Sequence, residues 1–307
     1  VDPFARVAFN AGRAAVVNLE RQTLSIVDLA TGEQAALDLR DPDGAQVVVD
    51  GVYPERDGVW AFALRGFAAR WEGGALVERI DFPGRLEAWT RSGDVIAVLH
   101  LDVDEDRVAS LVTLEPDGAG IVFTVPAPEG SSVHPSLGGG LHVFDRDGTL
   151  HSYDADGTRT GEIDTDARDT FINTMDPTSG VLAVDGGAVG AVVVVDPTTG
   201  DVDRLPGSDS VANLGFAQDG RLLVITDSDG TVRIWDRDRD ESAGLAWEGT
   251  GALPSSPSWY DPASSSIWVY TSGRLVEIPL DPQRWVERAC DVVGRELTED
   301  ERIRYVP

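Results

Sequence analysis

The chain has 307 residues, of which 53 are acidic and 25 are basic, so its formal net charge is −28, and every basic residue is an arginine. Binding to nucleic acid or to an anionic membrane surface requires clustered basic side chains, so this composition excludes the first as the main function and disfavours the second. The single cysteine, Cys290, excludes an internal disulfide framework, and a hydrophobic content of 42% excludes a disordered chain.

Taken in chain order, the predicted elements form seven successive units of short strands. The clearest unit contains RLLVITDSDGTVRIWD at residues 221–236, where an alternating apolar strand meets an Asp-Gly turn and a second alternating strand ends in Trp-Asp. A period of two and an Asp-Gly turn predict a β-hairpin. Weaker copies recur along the chain, and the predicted units cover residues 4–39, 46–83, 85–128, 131–164, 169–207, 210–249 and 253–281.

An acidic residue closes the third strand of every unit. These residues recur at intervals of 39 to 45 and are Asp28, Glu72, Glu115, Asp154, Asp196, Asp236 and Asp281. A period in the low forties with about four strands per unit is typical of β-propeller blades. The sequence therefore predicts an all-β fold, a seven-bladed β-propeller of four-stranded antiparallel blades. The last unit has sequence for only three strands, so the seventh blade is predicted to be incomplete.

Two segments carry a resemblance to WD-repeat proteins. Residues 230–236, GTVRIWD, resemble a WD-repeat blade, and residues 148–154, GTLHSYD, are a weaker copy in which Tyr153 takes the place of the tryptophan. The other units lack the Trp-Asp pair, and all of them lack a Gly-His opening. The chain thus resembles a diverged WD-repeat or quinoprotein-like propeller.

The last segment, residues 282–307, does not continue the strand pattern. Its apolar residues fall at helical spacing, Gly294 is placed to end a first helix, and Thr298 with Glu301 forms a capping box that starts a second. We expect a short helical hairpin that packs on the propeller and shields its edge. The alternative is that a segment upstream of Val1 completes the seventh blade.

This tail resembles the short segment that follows propeller repeats in large actinobacterial signalling proteins. The shared residues are Trp285, Ala289, Cys290, Gly294, Arg295, Leu297, Thr298, Glu301, Tyr305 and Pro307, and the one departure is Arg302, where the family has tryptophan. In that family the tail closes STAND-type NTPases, kinases and transcription regulators that carry propellers. The resemblance implies that this chain is the C-terminal part of a longer protein.

Alternate carboxylates at Asp102, Asp104 and Asp106 are the candidate calcium site, because a comb of this kind in a loop can ligate calcium. The sixth and twelfth positions of the pattern hold Arg107 and Thr113, where an EF-hand needs glycine and glutamate. We therefore favour a solvated hairpin tip.

Three of the four histidines fall in one unit, which suggests a metal site. The predicted hairpin sets His142 opposite Ser152 and His151 opposite Val143, so the two rings point to opposite faces of the sheet. We interpret these histidines as face or rim residues and predict no metal from them.

The candidate binding residues are three side chains that could lie on a rim, Trp71, Arg91 and Trp247. Aromatic and arginine side chains are the usual anchors of interfaces. No nucleophile elbow or phosphate loop is present, so we predict no catalytic residue and no cofactor.

Two functions from different classes remain. The first is a non-catalytic sensor or protein-interaction module of a cytoplasmic signalling protein, in which a protein partner or a small ligand is recognised on a rim and the signal passes to upstream effector domains. The sequence leaves open whether a membrane anchor lies upstream of Val1. The alternative is a metal-dependent propeller enzyme of the lactonase or quinoprotein kind with a site in the central channel. A purely structural scaffold differs from the first hypothesis only in having no discrete ligand.

Overall fold

The computed structural model describes residues 5–10, 12–18, 23–39, 47, 49, 51–55, 58–63, 66–92, 94–102, 104, 106–115, 118–168, 173–176, 178–186, 191–206, 211–218, 220–247, 258–261, 264–271, 274–281, 283–284 and 286–287. Apart from Val1, the chain divides into two compact units, Asp2–Ser210 and Val211–Pro307.

The first unit holds five antiparallel sheets, each built from four strands that are consecutive in sequence. The first two blades are β1 (Ala5–Asn10), β2 (Arg13–Asn18), β3 (Thr23–Asp28), β4 (Gln34–Leu37), and β5 (Gly51–Pro54), β6 (Gly58–Ala63), β7 (Phe67–Glu72), β8 (Ala75–Asp81). The next two are β9 (Leu86–Ser92), β10 (Val95–Leu101), β11 (Arg107–Glu115), β12 (Gly118–Pro126), and β13 (Ser132–Pro135), β14 (Leu141–Phe144), β15 (Thr149–Tyr153), β16 (Arg159–Asp164). The fifth is β17 (Asn173–Met175), β18 (Leu182–Asp185), β19 (Ala191–Val195), β20 (Val202–Pro206).

The second unit holds one four-stranded and one three-stranded antiparallel sheet. Their strands are β21 (Val211–Ala217), β22 (Leu222–Asp227), β23 (Val232–Asp236), β24 (Glu241–Trp247), and β25 (Ser258–Asp261), β26 (Ser266–Thr271), β27 (Arg274–Pro279). The described residues therefore confirm the predicted fold class: an all-β, seven-bladed propeller whose last blade has three strands.

The acidic residue that closes the third strand has a physical role, which explains why it recurs. The carboxylate oxygen Oδ1 of Asp28 accepts hydrogen bonds from the amides of Ala30 (3.0 Å) and Thr31 (2.9 Å). In blade four, Oδ1 of Asp154 likewise accepts from the amides two and four residues later, at 3.0 and 2.9 Å. A short acidic side chain that bonds to the backbone just ahead of it reverses the chain within a few residues.

Apolar side chains from neighbouring blades form the cores. Within Asp2–Ser210, separate buried clusters lie between blades one and two, two and three, three and four, and four and five. Within Val211–Pro307, a further cluster lies between blades six and seven. Blades two, three and four thus each bury both faces of their sheets against the blades on either side, which is the packing of propeller blades.

The predicted helical tail lies mostly outside the described residues. Residues 283–284 and 286–287 have helical backbone, and the proposed second helix and the remaining motif residues are not among those described. In the described part of the chain, no helix is long and apolar enough to cross a membrane.

Candidate functional site

The three aspartates of the candidate calcium loop lie in a turn, and the carboxylate of Asp102 stabilises that turn. Oδ1 of Asp102 accepts hydrogen bonds from the amides of Asp104 (2.8 Å) and Asp106 (3.0 Å), and the amide of Asp102 donates to the Asp106 carbonyl. This geometry closes the hairpin between β10 and β11. Among the described residues, no group of three or more His, Cys, Asp or Glu side chains is placed to hold a metal ion.

The predicted separation of the blade-four histidines is confirmed by the strand register. His142 pairs with Ser152, and His151 pairs with Val143, so the two rings project from opposite faces of the sheet. His151 donates from Nε2 to Asp145 at 2.9 Å, and Arg159 donates to its Nδ1 at 2.7 Å. These contacts hold the His151 ring within a polar network of its own blade.

The opposite face of this blade buries two neutral histidines. His134 and His142 face each other across β13 and β14, and burial lowers the pKa of each to about 4. His134 donates from Nε2 to Asn173 Oδ1 at 2.6 Å, and His142 Nδ1 shares a hydrogen bond with Ser152 Oγ at 3.0 Å. Both rings therefore serve as buried polar links, His134 between blades four and five and His142 within blade four.

The predicted rim anchors have different outcomes. Trp71 is only 1% exposed and packs in the core between blades one and two, so the expectation that its ring stands on the surface is corrected. The large apolar ring fills the space between two sheets, where it removes the most surface from water. The side chains of Arg91 and Trp247 lie outside the described residues, and their binding role stays a prediction.

An open cleft of about 560 Å³ lies between the first and second blades. Its accessible apolar lining is the half-buried Leu37 of β4, and Ile26 of β3 and Trp71 of β7 lie buried behind it. Its mouth is bordered by the exposed start of β4, where Gln34 and Ala35 face solvent. An apolar floor with a few convergent polar groups is the usual composition of a binding site.

The polar wall of the cleft is mainly acidic. Arg13, Asp28 and Glu33 line it, and Arg13 donates a hydrogen bond to the Glu55 carbonyl at 3.2 Å. The pKa of Asp28 is held below its usual value, chiefly because its carboxylate accepts the amide of Thr31. Glu33 is exposed. The lining thus carries two carboxylates against one guanidinium, so it favours a cationic or hydrogen-bond-donating group above an apolar floor.

Adjacent to this cleft, Arg70 of blade two forms ion pairs with two acidic residues of the same blade. Arg70 contacts Glu55 at 2.8 Å and Glu72 at 2.5 Å. At the turn that follows, Gly73 adopts a φ of +55°, and a Cβ there would meet no atom within 4 Å. The turn therefore leaves the mouth of the cleft open on the blade-two side.

Sequence reasoning missed this cleft because its lining comes from two different units, residues 13–37 of the first and residues 58–73 of the second. The sequence pattern identifies Asp28 only as the acid that closes a third strand, and it does not single out Glu33. The signal in the sequence is the pair of glycines, Gly73 and Gly74, at a turn where the other units have at most one glycine.

Comparisons with known proteins bear on the fold. No protein-family profile matches the sequence, and no curated protein matches it. Among solved structures, the chain is similar to a chain in the crystal structure of the mitotic checkpoint complex, with a TM-score of 0.67 and 13% sequence identity over 87% of this chain and 84% of that chain. The likeness to this chain supports the fold described above, and at this identity it shows the fold alone.

Proposed function

We propose that this propeller is a non-catalytic protein-interaction module that receives a segment of a partner protein in the cleft between blades one and two. The observation that carries the proposal is the cleft itself, with the half-buried Leu37 and the exposed Ala35 as its accessible apolar part and Asp28 and Glu33 as its acidic wall. A segment with an aliphatic or aromatic side chain next to an arginine or lysine matches both parts.

Three further features support a protein partner. The similar chain belongs to the mitotic checkpoint complex, an assembly of proteins, although that association is a property of that chain. The net charge of −28 favours encounter with basic partners over anionic ones. A rigid scaffold with variable surface loops suits recognition.

The wider setting we propose rests on the tail. From the resemblance of this segment to actinobacterial signalling proteins, we propose that the propeller is a sensor at the C-terminal end of a cytoplasmic protein and that its occupied state is passed to upstream effector domains. This setting accounts for a module that binds without transforming its partner.

Carboxylates at the blade turns support the proposal of a non-catalytic module, because they form hydrogen bonds and ion pairs within their own blades. Asp145 accepts the Thr149 amide at 2.8 Å and the His151 ring at 2.9 Å. At the equivalent turn of blade six, Asp227 accepts both Arg233 Nε (3.1 Å) and Nη2 (3.0 Å). These acids stabilise turns and strands of their own blades.

The test is site-specific photo-crosslinking in cells of the source organism. A photo-crosslinking amino acid replaces Gln34 at the cleft mouth, and in a control chain it replaces Glu162 on the outer strand of blade four. Two backgrounds separate the cleft from its surroundings: Ala35→Arg projects a long cation into the cleft, whereas Ala36→Arg makes the same change one residue along β4, at an exposed position outside the lining.

We expect one predominant protein adduct at Gln34, absent from the Glu162 control, retained in Ala36→Arg and reduced about tenfold or more in Ala35→Arg. Equal adducts at Gln34 and Glu162, or an adduct that is insensitive to Ala35→Arg, would overturn the cleft as the interaction site.

A further inference from the structure

A second surface, away from the cleft, is formed by the outer strand of the third blade. β12 spans Gly118–Pro126, is nine residues long and contains no charged residue. The outer strands of the neighbouring blades, by contrast, carry charges: ALVERID in β8 and RTGEID in β16. Charged side chains are the common means by which proteins prevent an exposed sheet edge from pairing with another chain, and β12 lacks them.

The same strand exposes apolar side chains. In its pairing with β11 the register shifts because Val122 is an extra residue between Ile121, opposite Val112, and Phe123, opposite Leu111. This bulge leaves Ile121 43% exposed and Val122 47% exposed. Val77 on β8, which packs beside β12, is 48% exposed. Three of the four large apolar side chains found exposed among the described residues therefore lie on this side of blades two and three.

The strand also contains a glycine that the packing of its own chain does not require. Gly120 lies in β12, does not have the left-handed backbone that favours glycine, and has no atom within 4 Å of where a Cβ would be. A glycine inside a strand weakens the strand and often marks a position where another backbone approaches closely. This observation is independent of the exposed valines and points to the same edge.

The surroundings of β12 are acidic. The turn that follows β15 packs against Phe123, since a Cβ at Gly157 would lie 3.0 Å from that ring, and its Asp154 and Asp156 are exposed. On the other side, the exposed Arg79 of β8 is already paired with Asp81 at 2.7 Å. The edge is thus an apolar strip in a negative field.

We propose that β12 is a strand-addition site, which takes an extended segment of a partner protein with alternating apolar residues and basic flanks. The partner's main chain pairs with the outer edge of β12 and supplies affinity, its apolar side chains cover Ile121 and Val122, and its basic flanks meet the acidic surroundings. This surface is separate from the blade-one cleft, so the inference goes beyond the proposed function. A second copy of the chain is disfavoured as the occupant because two chains of charge −28 repel each other.

The test uses the full chain and a fluorescent ten-residue peptide in which three valines alternate with three threonines between paired terminal arginines. A control peptide has the same sequence with every valine and threonine N-methylated, so that neither edge of its strand donates main-chain hydrogen bonds. The chain variant is Val122→Lys, and its matched control is Thr160→Lys, at the bulge residue of the outer strand of blade four. Binding is measured by fluorescence anisotropy, and the site is located by hydrogen–deuterium exchange.

We expect saturable binding of the first peptide, slower amide exchange within β12, and a loss of about tenfold or more in affinity for Val122→Lys but not for Thr160→Lys or for the cleft variant Ala35→Arg. N-methylation of the peptide is expected to abolish binding. Three results would each overturn the proposal: no saturation up to about 1 mM peptide, equal losses for Val122→Lys and Thr160→Lys, or protection confined to residues outside β12. A dimer that Val122→Lys dissociates would assign the edge to a second copy instead.

Discussion

Gly148 provides a sharp test of how the blades are joined. This residue closes the hairpin between β14 and β15 with a φ of +90°, and its carbonyl accepts hydrogen bonds from the Thr165 amide (2.9 Å) and hydroxyl (2.7 Å). A Cβ at this position would lie 2.5 Å from the Ala167 carbonyl oxygen. Because that neighbour is backbone, the substitution Gly148→Ala has to displace the segment that leads from blade four to blade five.

The size of the effect follows from two contributions. An alanine in left-handed backbone costs about 1–2 kcal/mol. Moving residues 165–167 away weakens two hydrogen bonds, each worth about 1 kcal/mol. We therefore expect Gly148→Ala to lower the free energy of unfolding by about 3–4 kcal/mol. The matched control is Gly139→Ala, where φ is +78° and the nearest atom to a Cβ is 3.9 Å away, so only the backbone contribution of about 1–2 kcal/mol applies.

Thermal unfolding followed by circular dichroism distinguishes the two variants. With an unfolding entropy of about 2.1 cal/mol/K per residue, each kcal/mol lowers Tm by about 1.5 °C in a chain of this size. The expected decreases are about 5–6 °C for Gly148→Ala and about 2–3 °C for Gly139→Ala. Equal decreases would refute the reasoning, since they would show that the close approach to Ala167 carries no energy.

Three further predictions follow from the buried histidines, the Trp-Asp pair and the acidic loop. His134 and His142 have a pKa of about 4 in the folded chain and about 6.5 in the unfolded chain, so protonation favours the unfolded chain and the free energy of unfolding decreases as pH falls from about 6.5 to 4. In urea titrations across this pH range, His142→Asn should make that decrease smaller. An unchanged dependence of the free energy of unfolding on pH would contradict the assignment. The Asp236 side chain is only 3% exposed and contacts Arg221 at 2.7 Å, whereas the Asp238 side chain is 73% exposed. We therefore expect Asp236→Asn to lower Tm clearly more than Asp238→Asn. Because the hydrogen bond with Arg221 is the main cause that lowers the pKa of Asp236, the difference in Tm between the two variants should become smaller in acid, below the pKa of folded Asp236. Calcium at about 1 mM should not raise Tm of the wild-type chain or of Asp104→Asn. A rise of several degrees that Asp104→Asn removes would show a calcium site in this loop, and a rise that persists in Asp104→Asn would favour the metal-dependent alternative with its site in the channel.

The fold was predictable from local chemistry. The hairpin at residues 221–236 has both the period and the turn that strand pairing needs, and the register of His142 and His151 follows from the Asp-Gly turn alone. The strand-closing acids were visible because each acts within its own turn, as Asp28 does with Thr31. Short-range bonds of this kind are encoded within a few residues of sequence.

The surfaces were not predictable in the same way, because they depend on contacts between blades. Trp71 belongs to a residue type that often anchors interfaces, but in this fold it is buried between blades one and two. The cleft needs β3 and β4 to face β7 across two blades, and the exposure of Val122 depends on a bulge that shifts the register by one residue. Neither the packing of neighbouring sheets nor the position of a bulge has a local sequence signal strong enough to predict it.

The most direct measurement of the central proposal is the affinity of the protein captured at Gln34, once purified, for three forms of the full chain. The account predicts that wild-type and Ala36→Arg chains bind it with equal Kd, and that Ala35→Arg, which fills the cleft, binds it about tenfold or more weakly. An unchanged Kd for Ala35→Arg would contradict the assignment of the cleft between blades one and two as the site of recognition.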